Sequence, residues 1–254
     1  MIGLTAMDSY GLDSPATKPK FGPAGSPYAI TLSASHGYFQ SVKHPAPDFW
    51  ALIGYYIPQY SETACSAASL SMVLNAARTS LLKTSEDKLI LQPNLVEKTD
   101  VEHWKERLSE PGYGPKKLHG TTLEVLRKIA EKAFQDNGFT KAAVEAVHVN
   151  DLSEKNLSKI HQLLITNEKS SNDFILANFN QQTFTDDSDA GHFAPVGAYD
   201  SETKKVLILD PDREWYEPYW VSEKKFVEGL HTKDSENDDY RGLLVIRLNS
   251  NRPR

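Results

Sequence analysis

Pro58-Gln59-Tyr60-Ser61-Glu62-Thr63-Ala64-Cys65-Ser66-Ala67-Ala68-Ser69-Leu70 is a polar turn that runs straight into an apolar helical pattern. Cys65, the single cysteine among 254 residues, falls at the first turn of that helix. The positive end of a helix dipole favours thiolate over thiol there. Gln59 stands just upstream, where its side-chain amide could donate to an oxyanion formed beside the sulfur. The competing reading of a free cysteine is a small buried hydrophobe. Beyond it, Ala68, Met72 and Ala76, with Leu70, Val73, Leu74 and Ala77, spread apolar surface around most of a helix over 64–78. That pattern predicts a central buried helix rather than a surface one.

Upstream, residues 1–45 read as an extended arm with little regular structure. Pro15, Pro19, Pro23, Pro27 and Pro45 discourage helix, and Tyr28-Ala29-Ile30-Thr31-Leu32 is the one strand candidate. Residues 46–254 read as a single catalytic domain, opening with a helical pattern over 48–56. Stretch 83–120 reads as loops and short helices, with candidates at 94–96 and 101–108. Two surface helices follow, announced by the capping-box patterns Thr121-x-x-Glu124 and Asp151-x-x-Glu154. They are expected over 123–135 and 152–167. The texture then turns to β at 173–179, 193–200, 205–209 and 242–248, short runs rich in Ile, Leu, Val and Phe. A helical half followed by a mostly antiparallel sheet half is α+β. A nucleophile on the first half would meet its partners from the second in a cleft between them.

Composition narrows the function classes. A net charge of −6 with scattered Lys and Arg offers no electrostatic footprint for nucleic acid or an anionic membrane. An anionic small substrate would therefore need a locally placed cation. One cysteine excludes an intramolecular disulfide and any multi-cysteine metal site. No protein metal site and no tightly bound cofactor are expected. No apolar run approaches the roughly 18 residues that span a bilayer, and residues 1–26 lack a secretory h-region. The cytoplasm is favoured, with export open if a leader has been removed.

Gly191-His192-Phe193-Ala194-Pro195-Val196-Gly197 sets a histidine at the start of an apolar strand, and Val206-Leu207-Ile208-Leu209-Asp210-Pro211 sets an acid at the end of the next. Two hairpin-linked strands would bring these side chains together. Asp210 would then accept from one ring nitrogen of His192, and the other nitrogen would face Cys65, as nucleophile, base and orienter. Taken singly, a histidine opening a strand reads as structural, and an Asp before Pro reads as a turn former. His36, His44, His103, His119, His148, His161 and His231 are rival bases. The joint pattern is more specific than its parts.

Gln59-(x5)-Cys65 with Ala68 to Ala76, Gly191 to Tyr199, and Val206 to Arg213 together resemble the catalytic domain of phytochelatin synthases, papain-like cysteine enzymes also called glutathione γ-glutamylcysteinyltransferases. The likeness continues through Tyr219-Trp220-Val221 and Tyr240 to Val245, covering roughly 45–248. It implies a papain-like fold, with Cys65 as nucleophile, His192 as base, Asp210 as orienting acid and Gln59 in the oxyanion hole. It further implies that Arg241 binds the α-carboxylate of the γ-glutamyl group, for which a guanidinium is suited. Asn178 matches a family asparagine near the same group, and Gly191 and Phe193 are expected to line the substrate site. Cys65-Ser66 departs from the family's frequent Cys-Gly, which bears on the backbone behind the oxyanion hole.

The substrate so implied is glutathione, cleaved at its Cys–Gly amide through a γ-Glu-Cys acyl-enzyme. Water would yield γ-Glu-Cys, and a second glutathione would yield phytochelatin. Cd²⁺ or Zn²⁺ would enter as glutathione-thiolate complexes that stimulate transfer. With no cysteine after Cys65, the chain resembles the short, prokaryote-type members, in which deglycylation is expected to dominate. A homodimer is compatible with the resemblance. Two rival functions remain at this point: a papain-like amidase for another γ-glutamyl or peptide substrate, and a metal-thiolate binder without turnover.

Overall fold

The structure is a computed structural model that describes residues 27–78, 87–187 and 189–249. The arm reading for 1–26 lies outside them. Residues 27–45 carry β1 (Ala29–Thr31) and two short 3-10 turns, and are joined to the body: β1 pairs antiparallel with a later strand, and Tyr38 and Phe39 pack on the core. Then come α1 (Pro47–Ile53), α2 (Cys65–Arg78), α3 (Gln92–Lys98), α4 (Trp104–Arg107), α5 (Leu123–Asp136), β2 (Ala143–His148) and α6 (Glu154–Asn167). The chain closes with β3 (Asp173–Asn180), α7 (Gln181–Thr185), β4 (Gly191–Asp200), β5 (Lys205–Ile208), β6 (Tyr219–Ser222), α8 (Glu223–Leu230) and β7 (Gly242–Arg247).

The seven strands form one sheet in the order β1-β6-β5-β4-β3-β7-β2, with every pair antiparallel. Helix and antiparallel sheet thus make an α+β fold, though the outer face of the sheet is not bare. Strand alternation sends Phe174, Leu176, Leu207, Leu244 and Ile246 to a core shared with α1, α2, α3 and α5. Ile175, Ala177, Val206, Ile208, Leu243 and Val245 go to a second core beneath α6, α7 and α8. Strands apolar on both faces need cover on both, which a division into helical and sheet halves does not provide.

α2 is buried over its whole length up to Ala77, as its apolar circumference requires. Its buried polar groups are satisfied locally. Ser69 Oγ donates to Phe193 O at 3.0 Å, Trp104 Nε1 donates to Ser66 Oγ at 3.2 Å, and Asn75 exchanges two 2.9 Å bonds with the Ile90 backbone. The caps of the two later helices are not those read from sequence. Thr122, not Thr121, accepts from Val125 N, and Ser153, not Asp151, accepts from Asn156 N. In each helix the cap sits where the backbone is still extended while the side chain reaches the third residue on.

β4 organises the site. Its first half pairs with β3 and its second half with β5, and the register shifts between Val196 and Ala198. Gly197 sits at this shift, where a Cβ would lie 2.9 Å from Leu209 Cγ, so the strand can lie tight against the residue preceding Asp210.

Candidate active site

Extending the Val196–Ile208 pairing past the end of β5 sets Asp210 opposite Ala194, on the same face as His192 and next to it along β4. His192 Nε2 meets Asp210 Oδ1 at 2.8 Å. Cys65 arrives from the helix on the opposite face, at the end of the sheet where β4 begins, near enough to the same imidazole to act on its charge. With Nε2 committed to Asp210, Nδ1 is the ring nitrogen left for another partner. Two bonds tie the halves together: Gln59 N donates to Pro211 O at 2.8 Å, and Tyr56 Oη donates to Asp210 O. The turn leading into Cys65 is therefore fastened to the segment that follows the acid.

Asp210 is fully buried and surrounded by donors. Besides His192, Oδ1 accepts from Asp212 N at 2.9 Å, and Oδ2 accepts from Tyr219 Oη at 2.9 Å and Gln181 Nε2 at 3.3 Å. Burial alone would raise its carboxyl, but the adjoining imidazolium and these donors hold it below the ordinary value. Burial likewise opposes charge on His192. The Asp210 charge, with hydrogen bonds to Asp210 and Cys65, outweighs it and lifts the imidazole well above its usual value. The ring stands edge-on to Phe179, with centroids 5.5 Å apart, which fixes its plane.

Two cavities adjoin this group, with the solvent-facing Gly191 in the wall of both. The first, of about 340 Å³, is lined by Cys65, Phe193, Thr121, Asp234 and Arg241 among others. Arg241 precedes β7, and its Nη1 donates to Thr232 Oγ1 at 3.1 Å and to Lys233 O. Burial lowers its guanidinium somewhat against the pull of Asp234 and Asp189, and it remains a cation. Among the described residues, Arg241 Nε and Thr121 Oγ1 are buried polar atoms in this wall without a hydrogen-bond partner. Gly191 leaves room for the guanidinium, since a Cβ there would stand 2.9 Å from Arg241 Nη2. The second cavity, of about 400 Å³, is lined by Gln59, Gln181 and His192 and by an acidic and aromatic rim.

The structure thus brings Cys65, His192 and Asp210 together and sets Arg241, Gly191 and Phe193 around one cavity with Cys65. Gln59 lines the other cavity, its Nε2 in a long 3.4 Å bond to Glu62 O. Asn178 is in neither wall. It is buried in β3, where its Nδ2 donates to His192 O at 3.3 Å and so steadies the strand that carries His192. Tyr219 and Gln181, which embrace Asp210, were not singled out from sequence. Tyr219 lies in the quoted Tyr-Trp-Val run, and its alternation with Trp220 was the one available signal. No group of three or more His, Cys, Asp or Glu side chains among the described residues is arranged to hold a metal.

The family model for phytochelatin synthase matches residues 28–243. The chain belongs to the phytochelatin synthase family. Among curated relatives, the glutathione γ-glutamylcysteinyltransferase 1 of Arabidopsis thaliana is 26% identical over 235 residues, which is 87% of this chain and 42% of that protein. That of Lotus japonicus is 25% identical over 228 residues, 87% of this chain and 41% of the relative. The glutathione γ-glutamylcysteinyltransferase of Schizosaccharomyces pombe is 38% identical over 56 residues, 22% of this chain and 14% of the relative. This member of the phytochelatin synthase family thus spans about two-fifths of the length of the plant relatives. No helix among its described residues is long and apolar enough to cross a membrane.

Proposed function

We propose that this phytochelatin synthase-family protein is a papain-like thiol acyltransferase and peptidase acting on glutathione. The observation that carries the reading is the Cys65–His192–Asp210 line, which opens onto a cavity holding the Arg241 guanidinium. Family membership and the names of the curated relatives support the substrate. A helix bearing the nucleophile, docked on an antiparallel sheet bearing base and acid, supports the papain-like arrangement.

In this mechanism the Cys65 thiolate, paired with the His192 imidazolium, attacks the carbonyl of the Cys–Gly amide. Arg241 holds the γ-glutamyl α-carboxylate through charge-assisted hydrogen bonds. Gln59 turns its Nε2 from Glu62 O to the oxyanion and acts with the Cys65 N–H, each donor of this kind contributing about 10²- to 10³-fold. His192 passes its proton to the leaving glycine amine, and a γ-Glu-Cys thioester remains on Cys65. Water then attacks, gives its proton to His192 and releases γ-Glu-Cys. When the amine of a second glutathione attacks instead, the product is (γ-Glu-Cys)₂-Gly. Soft divalent metals such as Cd²⁺ enter as thiolate complexes of the substrate, whose thiols are suitable ligands.

Mass spectrometry of glutathione products, with and without Cd²⁺, tests the reading. The expected result is glycine and γ-Glu-Cys from the wild type and neither from Cys65→Ala. Absence of both products from the wild type, or their undiminished release by Cys65→Ala, would overturn it.

A further inference from the structure

The two cavities at the nucleophile differ in charge. The one shared by Cys65 and Arg241 offers a cation, whereas the one lined by His192 gathers Glu62, Asp187 and Asp212. Among the described residues, no lysine or arginine lines this second cavity. The nearby Arg213 turns its Nη1 to Tyr56 Oη at 3.2 Å and Tyr216 O at 3.1 Å. Burial and the neighbouring Asp210 push the Asp212 carboxyl above its usual range, a cost that a bound ammonium would relieve.

A second observation comes from the amides of the same wall. Gln181 is only 4% exposed. Its Nε2 is committed to Asp210 Oδ2, which fixes the orientation of the amide, and its Oε1 is a buried acceptor without a partner. Gln59 Oε1 is buried and without a partner as well. Carboxylates and orphaned acceptors together call for a ligand that donates N–H groups. Trp215 and Tyr216 add the aromatic faces on which an ammonium is held.

The inference rests on the acyl-transfer reading above, in which His192 protonates the leaving amine. The cavity that His192 lines must then hold the leaving group, and afterwards any acceptor. Free glutathione would place its glycine carboxylate there, among three carboxylates. We propose that this cavity selects leaving groups and acceptors that carry a positive charge, so that the preferred donor is glutathione linked through its glycine carboxyl to a diamine or polyamine. In hydrolysis, Cys65 displaces the glycyl-polyamine, whose amine takes the His192 proton, and water then releases γ-Glu-Cys. In the reverse sense, a glycyl-polyamine amine attacks the thioester, gives its proton to His192, and forms the Cys–Gly amide as the Cys65 thiolate departs.

The test keeps the scissile bond constant and varies only the charge beyond it. The substrates are glutathione, its glycine amide, and its glycine amide with 1,4-diaminobutane, with γ-Glu-Cys release followed by chromatography. kcat/KM is expected to rise along this series, by about tenfold from first to last, the scale of several partly screened charges. Glu62→Gln combined with Asp187→Asn is expected to narrow that ratio. Glutathione turned over as well as the diamine conjugate by the wild type would overturn the proposal, and so would a ratio that the double variant leaves unchanged. If none of the three releases γ-Glu-Cys, the acyl-transfer reading itself fails and the selectivity goes with it.

Discussion

Replacing Tyr219 by Phe removes one oxygen from a fully buried site and leaves the fold's packing intact. That oxygen donates to Asp210 Oδ2 at 2.9 Å, and only the 3.3 Å bond from Gln181 remains on the same carboxylate oxygen. Burial and the Asp210 charge hold the Tyr219 phenol far above its usual value, so it stays a donor across any working pH. A hydrogen bond to a charged partner contributes about 1.5–3 kcal/mol net. The variant should lose about 2 kcal/mol at neutral pH, a fall of about 4–8 °C in Tm for a chain of this size. The pH dependence has a definite sign. The Asp210 carboxyl lies below its ordinary value in the fold. Its stabilisation is therefore present above the unfolded carboxylate pKa and is lost as pH falls through the folded one. Tyr219→Phe raises the folded value, so the deficit in Tm should be full at pH 7 and shrink toward pH 3. The acid limb of kcat/KM for glycine release should move to higher pH, because the acid that sustains the His192 imidazolium protonates sooner. Thermal melts across that range and a pH–rate profile supply both readouts. A variant with the wild-type Tm at pH 7, or a deficit that grows in acid, would refute the reasoning.

Asp48 is buried in the first turn of α1, and burial together with Asp173 lifts its carboxyl well above the ordinary range. Such a group loses stability as pH rises from the unfolded toward the folded pKa, so Asp48→Asn should stabilise by about 1 kcal/mol at pH 8 and by nothing near pH 4. The unpartnered Oδ1 atoms of Asp48 and Asn167 support this, since an amide can bond reciprocally with Asn167; melts at the two pH values decide. Gly191→Ala should keep the wild-type Tm, because its Cβ meets only the end of the Arg241 side chain, yet cut kcat/KM for glycine release by about 10- to 100-fold as the guanidinium shifts. An unchanged kcat/KM would show that Arg241 does not position the acyl group. Arg107, 5% exposed, makes a bidentate pair with Glu236 at 2.7 and 3.0 Å. Glu236→Ala should cost about 2–3 kcal/mol in urea denaturation, less than a fully buried pair because Glu236 is partly exposed.

Much of this arrangement is legible in the chain because its signals are local. The apolar circumference of α2 predicts its burial, and the runs at β3, β4, β5 and β7 predict strands within one or two residues of their observed ends. The parts that escape are those whose cause is tertiary. β2 is Ala-Val-Glu-Ala-Val-His, whose Ala and Glu favour helix, and it is a strand because it pairs with β7 along its whole length. β6 has only four residues between Pro218 and α8, and α7 has five, too few for a period to be read. α8 had a readable signal in Phe226, Val227 and Leu230 behind the Ser222 cap. Of the site, Cys65, His192 and Asp210 stand out by their setting in sequence. Tyr219 and Gln181 do not, because a hydroxyl or an amide in an apolar strand or loop gives no sign of the carboxylate it will meet.

The ties from Gln59 to Pro211 and from Tyr56 to Asp210 also set a timetable. Cys65 leaves the ribosome with neither His192 nor Asp210, which follow more than a hundred residues later. At about 5–20 residues per second, about 6–30 seconds of synthesis separate the thiol from His192 and Asp210. Even then β5 must pair with β4 before Asp210 meets the imidazole. The nascent chain thus carries the thiol without either partner through that interval, and only the completed fold assembles the three.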